Sequence, residues 1–71
     1  MHSRSEGYWR EVPSGQLVSR QFVINELTES GYKAEHAPAF VDACARSEAF
    51  VVVPTSPRTF YEFVELNTVT Y

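Results

Sequence analysis

The stretch "FVVVPTSPRTFYEF", residues 50–63, constrains the fold most strongly. Two runs rich in β-branched and aromatic residues flank "PTSPR", where proline fixes φ and the Ser and Thr hydroxyls can bond to nearby backbone. This pattern predicts a β-hairpin. Because side chains alternate along a strand, one face of the hairpin is expected to pack on the rest of the chain. We assign these residues to the packed face: Phe50, Val52, Phe60 and Val64.

A strand and a helix are predicted before the hairpin. Residues 7–12, "GYWREV", are compatible with a short strand at the edge of a sheet. Residues 13–32 have apolar side chains at steps of three and four, which indicates a helix that Ser14 or Ser19 could cap. Gly31 suits the left-handed position that follows the last helical turn.

A second, shorter helix is predicted between Glu35 and Glu48. Its start is placed near His36 or Ala37, because Pro38 is tolerated only in a first helical turn. The predicted fold class is therefore α+β, with two helices followed by a β-hairpin and preceded by a short N-terminal strand. The apolar face of the second helix consists of Ala37, Phe40, Val41 and Cys44.

The length of 71 residues predicts one small domain, spanning residues 1–71, and the polar residues 1–6 are expected to be disordered. The single cysteine, Cys44, rules out an intrachain disulfide. A lone buried thiol fits a reducing, cytoplasmic setting. The sequence has neither a signal-like N-terminal segment nor an apolar run long enough to span a membrane, so we expect no membrane association.

Catalytic, metal and cofactor sites are not predicted. His36 and Cys44 are about 12 Å apart along one helix, which is too far to share a metal ion. The three glycines are isolated, so there is no glycine-rich phosphate loop. A nucleophilic cysteine would need to be exposed beside a base, whereas the apolar helical face predicts that Cys44 is buried. We therefore expect a protein that is not an enzyme and binds no cofactor.

The order of two helices and a hairpin, over roughly residues 16–66, resembles the C-terminal portion of a winged-helix domain, with "PTSPR" as the wing. The resemblance implies a DNA-binding transcriptional regulator, with the second helix in the major groove and Arg58 on phosphate or in the minor groove. Two features disagree with it. Two helices precede the wing where three are common, and the net charge of −3 is unfavourable for binding a polyanion.

The alternative is a small acidic protein-binding module, an adaptor or an inhibitor that occludes a surface of a larger protein. One tryptophan, four tyrosines and five phenylalanines exceed what so small a core needs, and exposed aromatics are favoured at interfaces. Acidic surface can steer association with a basic partner, including nucleic-acid-handling enzymes. In size and charge the chain looks like the small proteins with which phages and mobile elements disable host machinery. The candidate partner-binding residues are Trp9, Arg10, Arg58 and Tyr61.

Each candidate residue also has a purely structural interpretation. Trp9 could close one end of the core, Tyr61 could be a half-buried strand residue, and Arg58 could be an ordinary solvated turn residue. A homodimer is a third possibility, compatible with either binding hypothesis. The second hairpin strand and the tail, residues 59–71, would then offer an open edge and an apolar face to a second copy.

Overall fold

The computed structural model describes residues 7–65, which form two helices and one four-stranded antiparallel sheet. The α+β class is confirmed. In chain order the elements are β1 (Gly7–Val12), β2 (Leu17–Val18), α1 (Arg20–Glu29), α2 (Ala37–Ser47), β3 (Val51–Val53) and β4 (Ser56–Glu65). The strands are arranged β2-β1-β4-β3. The expected disorder of residues 1–6 and the predicted role of the tail beyond Glu65 lie outside the described residues.

Strand β1 confirms the strand predicted over residues 7–12, but it is not at the edge of the sheet. It pairs with β4 along its whole length, from Gly7 opposite Glu65 to Val12 opposite Phe60. Its other side pairs with the two residues of β2. β1 is therefore an interior strand, and the edges of the sheet are the short strands β2 and β3.

The first predicted helix began too early. Gly15 adopts a φ of +81° and donates its N–H to the Glu11 carbonyl at 2.6 Å, which turns the chain back along β1. Leu17 and Val18 therefore form β2 instead of a first helical turn. Two adjacent apolar residues fit either element, because they occupy opposite faces of a strand and one broad stripe of a helix.

The ends of α1 follow the predicted capping. The hydroxyl of Ser19 accepts the backbone N–H of Phe22 at 3.1 Å, so Ser19 is the N-cap. Gly31 has a φ of +122°, and the N–H of Tyr32 bonds to the Leu27 carbonyl at 3.0 Å. This is the Schellman arrangement, in which glycine avoids the strain that a side chain would meet at positive φ.

Helix α2 begins at Ala37, with Pro38 in the first turn as predicted. Its buried side chains are Ala37, Val41, Cys44 and Ala45. The two helices are joined at the surface by Arg20 and Asp42, whose side chains form two hydrogen bonds of 2.8 and 3.0 Å. The bond from the Arg20 guanidinium holds the pKa of Asp42 below its usual value.

The predicted hairpin is confirmed as β3 and β4, with a shorter turn than expected. Only Pro54 and Thr55 lie between the two strands, while Ser56 already pairs with Val53. The register shifts between Val52 and Val53, so that residues 57–59 of β4 form an irregular, bulged segment opposite β3. Arg58 lies in this segment and is exposed.

The hairpin faces the helices with the side opposite to the one expected. Phe50 and Val52 are exposed, and Phe60 and Val64 are only partly buried on the same side of the sheet. The physical reason is Glu62, which shares its face with Phe60 and pairs with Arg10 across the β1–β4 ladder. Packing that face on the helices would bury both charges at a cost of several kcal/mol for each ion. The buried side chains come instead from the other face: Trp9, Val51, Val53 and Tyr61.

Candidate functional site

The side of the sheet away from the helices, here called the outer face, has no layer of described residues over it. The registers of the three strand pairs assign its members, because residues directly opposite each other point to the same side. Tyr8, Arg10 and Val12 come from β1, while the other strands and the residue before β3 contribute Leu17, Phe50, Val52, Phe60, Glu62 and Val64.

Large apolar side chains are exposed mainly on the outer face. Tyr8 is 51% exposed, Leu17 55%, Phe50 53% and Val52 45%. Within residues 7–65 one further large apolar side chain is exposed, Phe22, and it lies on α1 at the other side of the molecule. Scattered apolar residues are normal on a protein surface, whereas a contiguous patch marks an interaction surface.

Two aromatic rings stiffen one end of the outer face. The ring centroids of Phe50 and Phe60 are 4.9 Å apart and the ring planes are inclined by 54°. Phe60 also stands directly opposite both Val12 and Val52 in the ladders. Because these side chains are already packed against one another, their ordering would cost a partner little additional entropy.

An ion pair lies in the middle of the outer face. The Nε atom of Arg10 donates to Oε2 of Glu62 at 2.7 Å, and the Nη2 atom contacts the same carboxylate oxygen. Arg10 also stands opposite Leu17 in the β1–β2 ladder, so apolar side chains flank the pair. One positive and one negative side chain leave the outer face without net charge.

Two of the four candidate partner-binding residues belong to the core. Trp9 is 1% exposed and its ring contacts that of Phe63, with centroids 5.3 Å apart. Tyr61 is 2% exposed, and its burial, together with the carboxylates of Glu26 and Glu11, raises its pKa to about 12. Neither side chain is accessible to a partner, so the prediction of a contact surface that includes them is corrected. Their size favours burial, since aromatic rings contribute most to the energy of a small core.

The other two candidates are exposed but lie apart. Arg10 is part of the outer face, while Arg58 lies in the bulged segment of β4. The exposed apolar residues of the outer face were not among the candidates. The signal that could have identified them is the charge pattern, because a face that carries both Arg10 and Glu62 is expected to be the solvated one.

A small open pocket of about 290 Å³ adjoins the outer face where α2 leads into β3. Its lining consists of Glu48, Ala49, Phe50, Glu62 and Phe63. This volume is at the lower limit of small-molecule sites, which usually measure about 300–1,000 Å³. Phe50 and Glu62 belong to the outer face and Phe63 to the face toward the helices, so the pocket lies at the border of the outer face.

The remaining side chains with potential chemistry are separate from the outer face. Cys44 is buried in the core, and burial raises the pKa of its thiol. Across the described range, His, Cys, Asp and Glu nowhere form a group of three that could hold a metal ion. Neither α1 nor α2 is long and apolar enough to cross a membrane.

Comparisons with protein-family models, curated proteins and solved structures find no match to this chain.

Proposed function

We propose that this protein is a small non-catalytic protein-binding module, an adaptor or an inhibitor, that covers an apolar surface of a larger protein with its outer face. The observation that carries the proposal is the concentration of exposed apolar side chains on one side of the sheet, around a charge pair that neutralises itself. A reducing, cytoplasmic setting and a phage or mobile-element origin are parts of the proposal that rest on the sequence alone.

Burial of the outer face supplies a part of the free energy that specific binding requires. Fully burying one large apolar side chain contributes roughly 1.5–3 kcal/mol, so four half-exposed side chains contribute about 3–6 kcal/mol in total. Tyr8 and Arg10 are of the residue types that most often dominate interface energetics. This gain is offset by the loss of translational and rotational freedom on association, roughly 4–15 kcal/mol, and by desolvation of the Arg10–Glu62 pair. Specific binding therefore also requires contacts beyond these four side chains.

Charge has a different role from the apolar contacts. The net charge of −3 can attract a basic partner from a distance. Nucleic-acid-handling enzymes are one class of such partners. Glu26 and Glu29 on α1 and Glu35 between the helices lie away from the outer face. The proposal therefore predicts that salt slows association with a basic partner more than it weakens the complex, since the contact surface is neutral.

DNA binding is less well supported than protein binding. The second helix, which would enter the major groove, contains a single basic residue, Arg46. Asp42 of the same helix is hydrogen-bonded to Arg20, so Arg20 could contact phosphate only by breaking this pair. Arg58 remains an exposed cation in the bulged segment, but one arginine supplies little of the phosphate contact that such binding needs.

The experiment that tests the proposal is capture of a partner by tagged protein from a host lysate, with nuclease present and a wash at roughly 0.2 M salt, where phosphate-driven binding weakens. The test variant combines Leu17→Gln with Val52→Thr, which replaces two of the four exposed apolar side chains of the outer face by polar side chains of similar size. The matched control is Phe22→Gln, which removes an exposed apolar side chain from the helical side.

The proposal expects a partner that is retained by the wild type and the Phe22→Gln control but lost by the outer-face variant. Thermal unfolding of all three proteins checks that each is folded. If the folded outer-face variant retains the partner as well as the wild type does, the outer face is not the contact surface. Binding that disappears with nuclease, with DNA recovered without it, would support the winged-helix hypothesis instead.

A further inference from the structure

We propose that the outer face binds the outer face of a second copy of this chain, so that a two-fold symmetric dimer forms when no larger partner is present. This inference rests on the proposed function, because it assigns a first occupant to the same contact surface. A larger partner would then compete with the second copy for the outer face.

Self-association requires a surface that is complementary to itself, since a two-fold interface brings the same patch together from both copies. A patch with net charge of one sign repels its own copy, whereas the outer face carries one cation and one anion. The other acidic residues of the two central strands, Glu11 and Glu65, alternate to the opposite side of the sheet. The outer face can therefore approach the outer face of a second copy without net charge repulsion.

The registers define how the two faces would meet. The midline of the outer face crosses Leu17 on β2, Arg10 on β1 and Glu62 on β4. Extending the β3–β4 register by one residue beyond Val51 places Phe50, which precedes β3, in the same row. Consider a two-fold axis that runs parallel to the strands, midway between β1 and β4 and midway between the two sheets. It leaves each row of directly opposite residues at the same level along the strands and exchanges the β2 side of the sheet with the β3 side. It places Arg10 over Glu62 of the second copy and Leu17 over Phe50 of the second copy.

The same axis matches the other rows. Tyr8 meets Val64 of the second copy at one end, and Val12 meets Phe60 of the second copy at the other end. In these rows apolar side chains meet apolar side chains and each charge meets its opposite, whereas Val52 lies in a row that the two-residue β2 of the second copy does not reach. Two sheets that face each other in this way form a sandwich with a spacing of about 10 Å. The Arg10–Glu62 pairs of both copies are then buried between the sheets, and the cost of their desolvation reduces the stability of the dimer.

The area of the face sets the strength of the dimer. The six paired residues of β1 and of β4, the two of β2 and the three of β3, at about 3.3 Å per residue and about 4.8 Å between strands, give a flat area of about 270 Å² on each copy. The two copies together would bury about 540 Å² before side-chain relief is added, well below the roughly 1,200–2,000 Å² of standard interfaces. The dimer is therefore expected to be weak and to depend on concentration. That property suits a resting state which a larger partner displaces.

Sedimentation velocity of the purified full chain, from about 1 µM to about 1 mM, tests the inference across the range of dissociation constants expected of a weak dimer. The expected result is a monomer–dimer equilibrium for the wild type. Arg10→Glu places like charges over each other and should raise the dissociation constant at least about tenfold. The double variant Arg10→Glu with Glu62→Arg exchanges the charges and should restore the dimer.

A wild type that stays monomeric throughout this range overturns the inference. So does a dimer that neither Arg10→Glu nor the outer-face variant weakens, because it would form through another surface. These outcomes are separate from failure of the proposed function. If the outer-face variant loses a captured partner although the wild type is monomeric, the dimer is wrong and the proposed function stands. If a dimer forms through the outer face while the variant still captures its partner, the proposed function is wrong.

Discussion

The two neighbouring valines of β3 provide a direct test of which side of the sheet covers the helices. Val51 is 0% exposed and faces the core, while Val52 is 45% exposed on the outer face. The substitution to alanine is chemically identical at both positions and removes two methyl groups. Any loss of strand preference is also shared, since both residues lie in the same strand.

The expected magnitudes follow from burial. Val51→Ala loses the transfer energy of two buried methyl groups, about 0.8 kcal/mol each, and leaves a small cavity, for a total of about 2 kcal/mol. Val52→Ala loses less than half as much, about 0.5–1 kcal/mol, because the side chain is half in water and leaves no cavity. For a domain of this size each kcal/mol shifts the thermal midpoint by about 4–8 °C.

Urea unfolding followed by the fluorescence of Trp9, the single tryptophan and a buried one, measures both free energies of unfolding. The measurement is made at low protein concentration, so that self-association does not add to the stability. The reasoning is refuted if Val52→Ala destabilises the protein as much as Val51→Ala or more. That result would mean that the outer face is part of a core and is not available to a partner.

Three further predictions concern titrating and reactive groups. Because the folded pKa of Asp42 lies below the usual value of 3.8, its pair with Arg20 stabilises the protein above that pH and ceases to do so as pH falls through the folded pKa. Asp42→Asn should therefore lower the free energy of unfolding by under about 1 kcal/mol at pH 7, because the pair is partly exposed, and should not change it in strong acid. An equal loss at both pH values in urea unfolding would contradict this. The raised pKa of Tyr61, about 12, predicts that its contribution to stability is constant up to the usual value of 10.0 and is lost between pH 10.0 and 12. Tyr61→Phe should remove this alkaline loss. Tyrosinate absorbance of the folded protein at pH 10 equal to that of a denatured control would argue against the raised pKa. Burial of Cys44 predicts slow reaction with a disulfide reagent in the folded state and fast reaction in denaturant, so rapid labelling of the native thiol would show that it is exposed.

Local signals in the sequence were sufficient to predict the helix ends and the existence of the hairpin. Ser19, Gly31 and Pro38 each act through backbone chemistry that is independent of the rest of the fold. The start of α1 was wrong because Leu17 and Val18 satisfy a helical stripe as well as a strand. Whether these two residues form a strand or a helix depends on the turn at Gly15 and on a partner strand. Neither can be recognised from the apolar pattern alone.

The orientation of the sheet could not be derived from the hairpin by itself. Both faces of β4 carry aromatic and aliphatic residues, so alternation defines two faces without saying which is buried. The missing information is the ladder with β1, which places Arg10 beside Glu62 and thereby makes that face unsuitable for a core. The missing ladder also explains why Trp9 and Tyr61 were interpreted as contact residues. Their residue types are common at interfaces, and their burial depends on long-range strand pairing that the sequence does not reveal.

The position of β4 between β1 and β3 has a consequence for how the protein folds. β1 and β4 stand at opposite ends of the described chain, and they form the longest ladder in the sheet. This ladder closes a loop that contains both helices, so its entropy cost is met before most of the sheet can form, which slows folding. During synthesis on the ribosome β1 emerges early and has only the two residues of β2 to pair with until β4 follows. The edge of β1 that β4 later covers is exposed throughout that interval, and a chaperone or rapid completion of the chain would be most useful there.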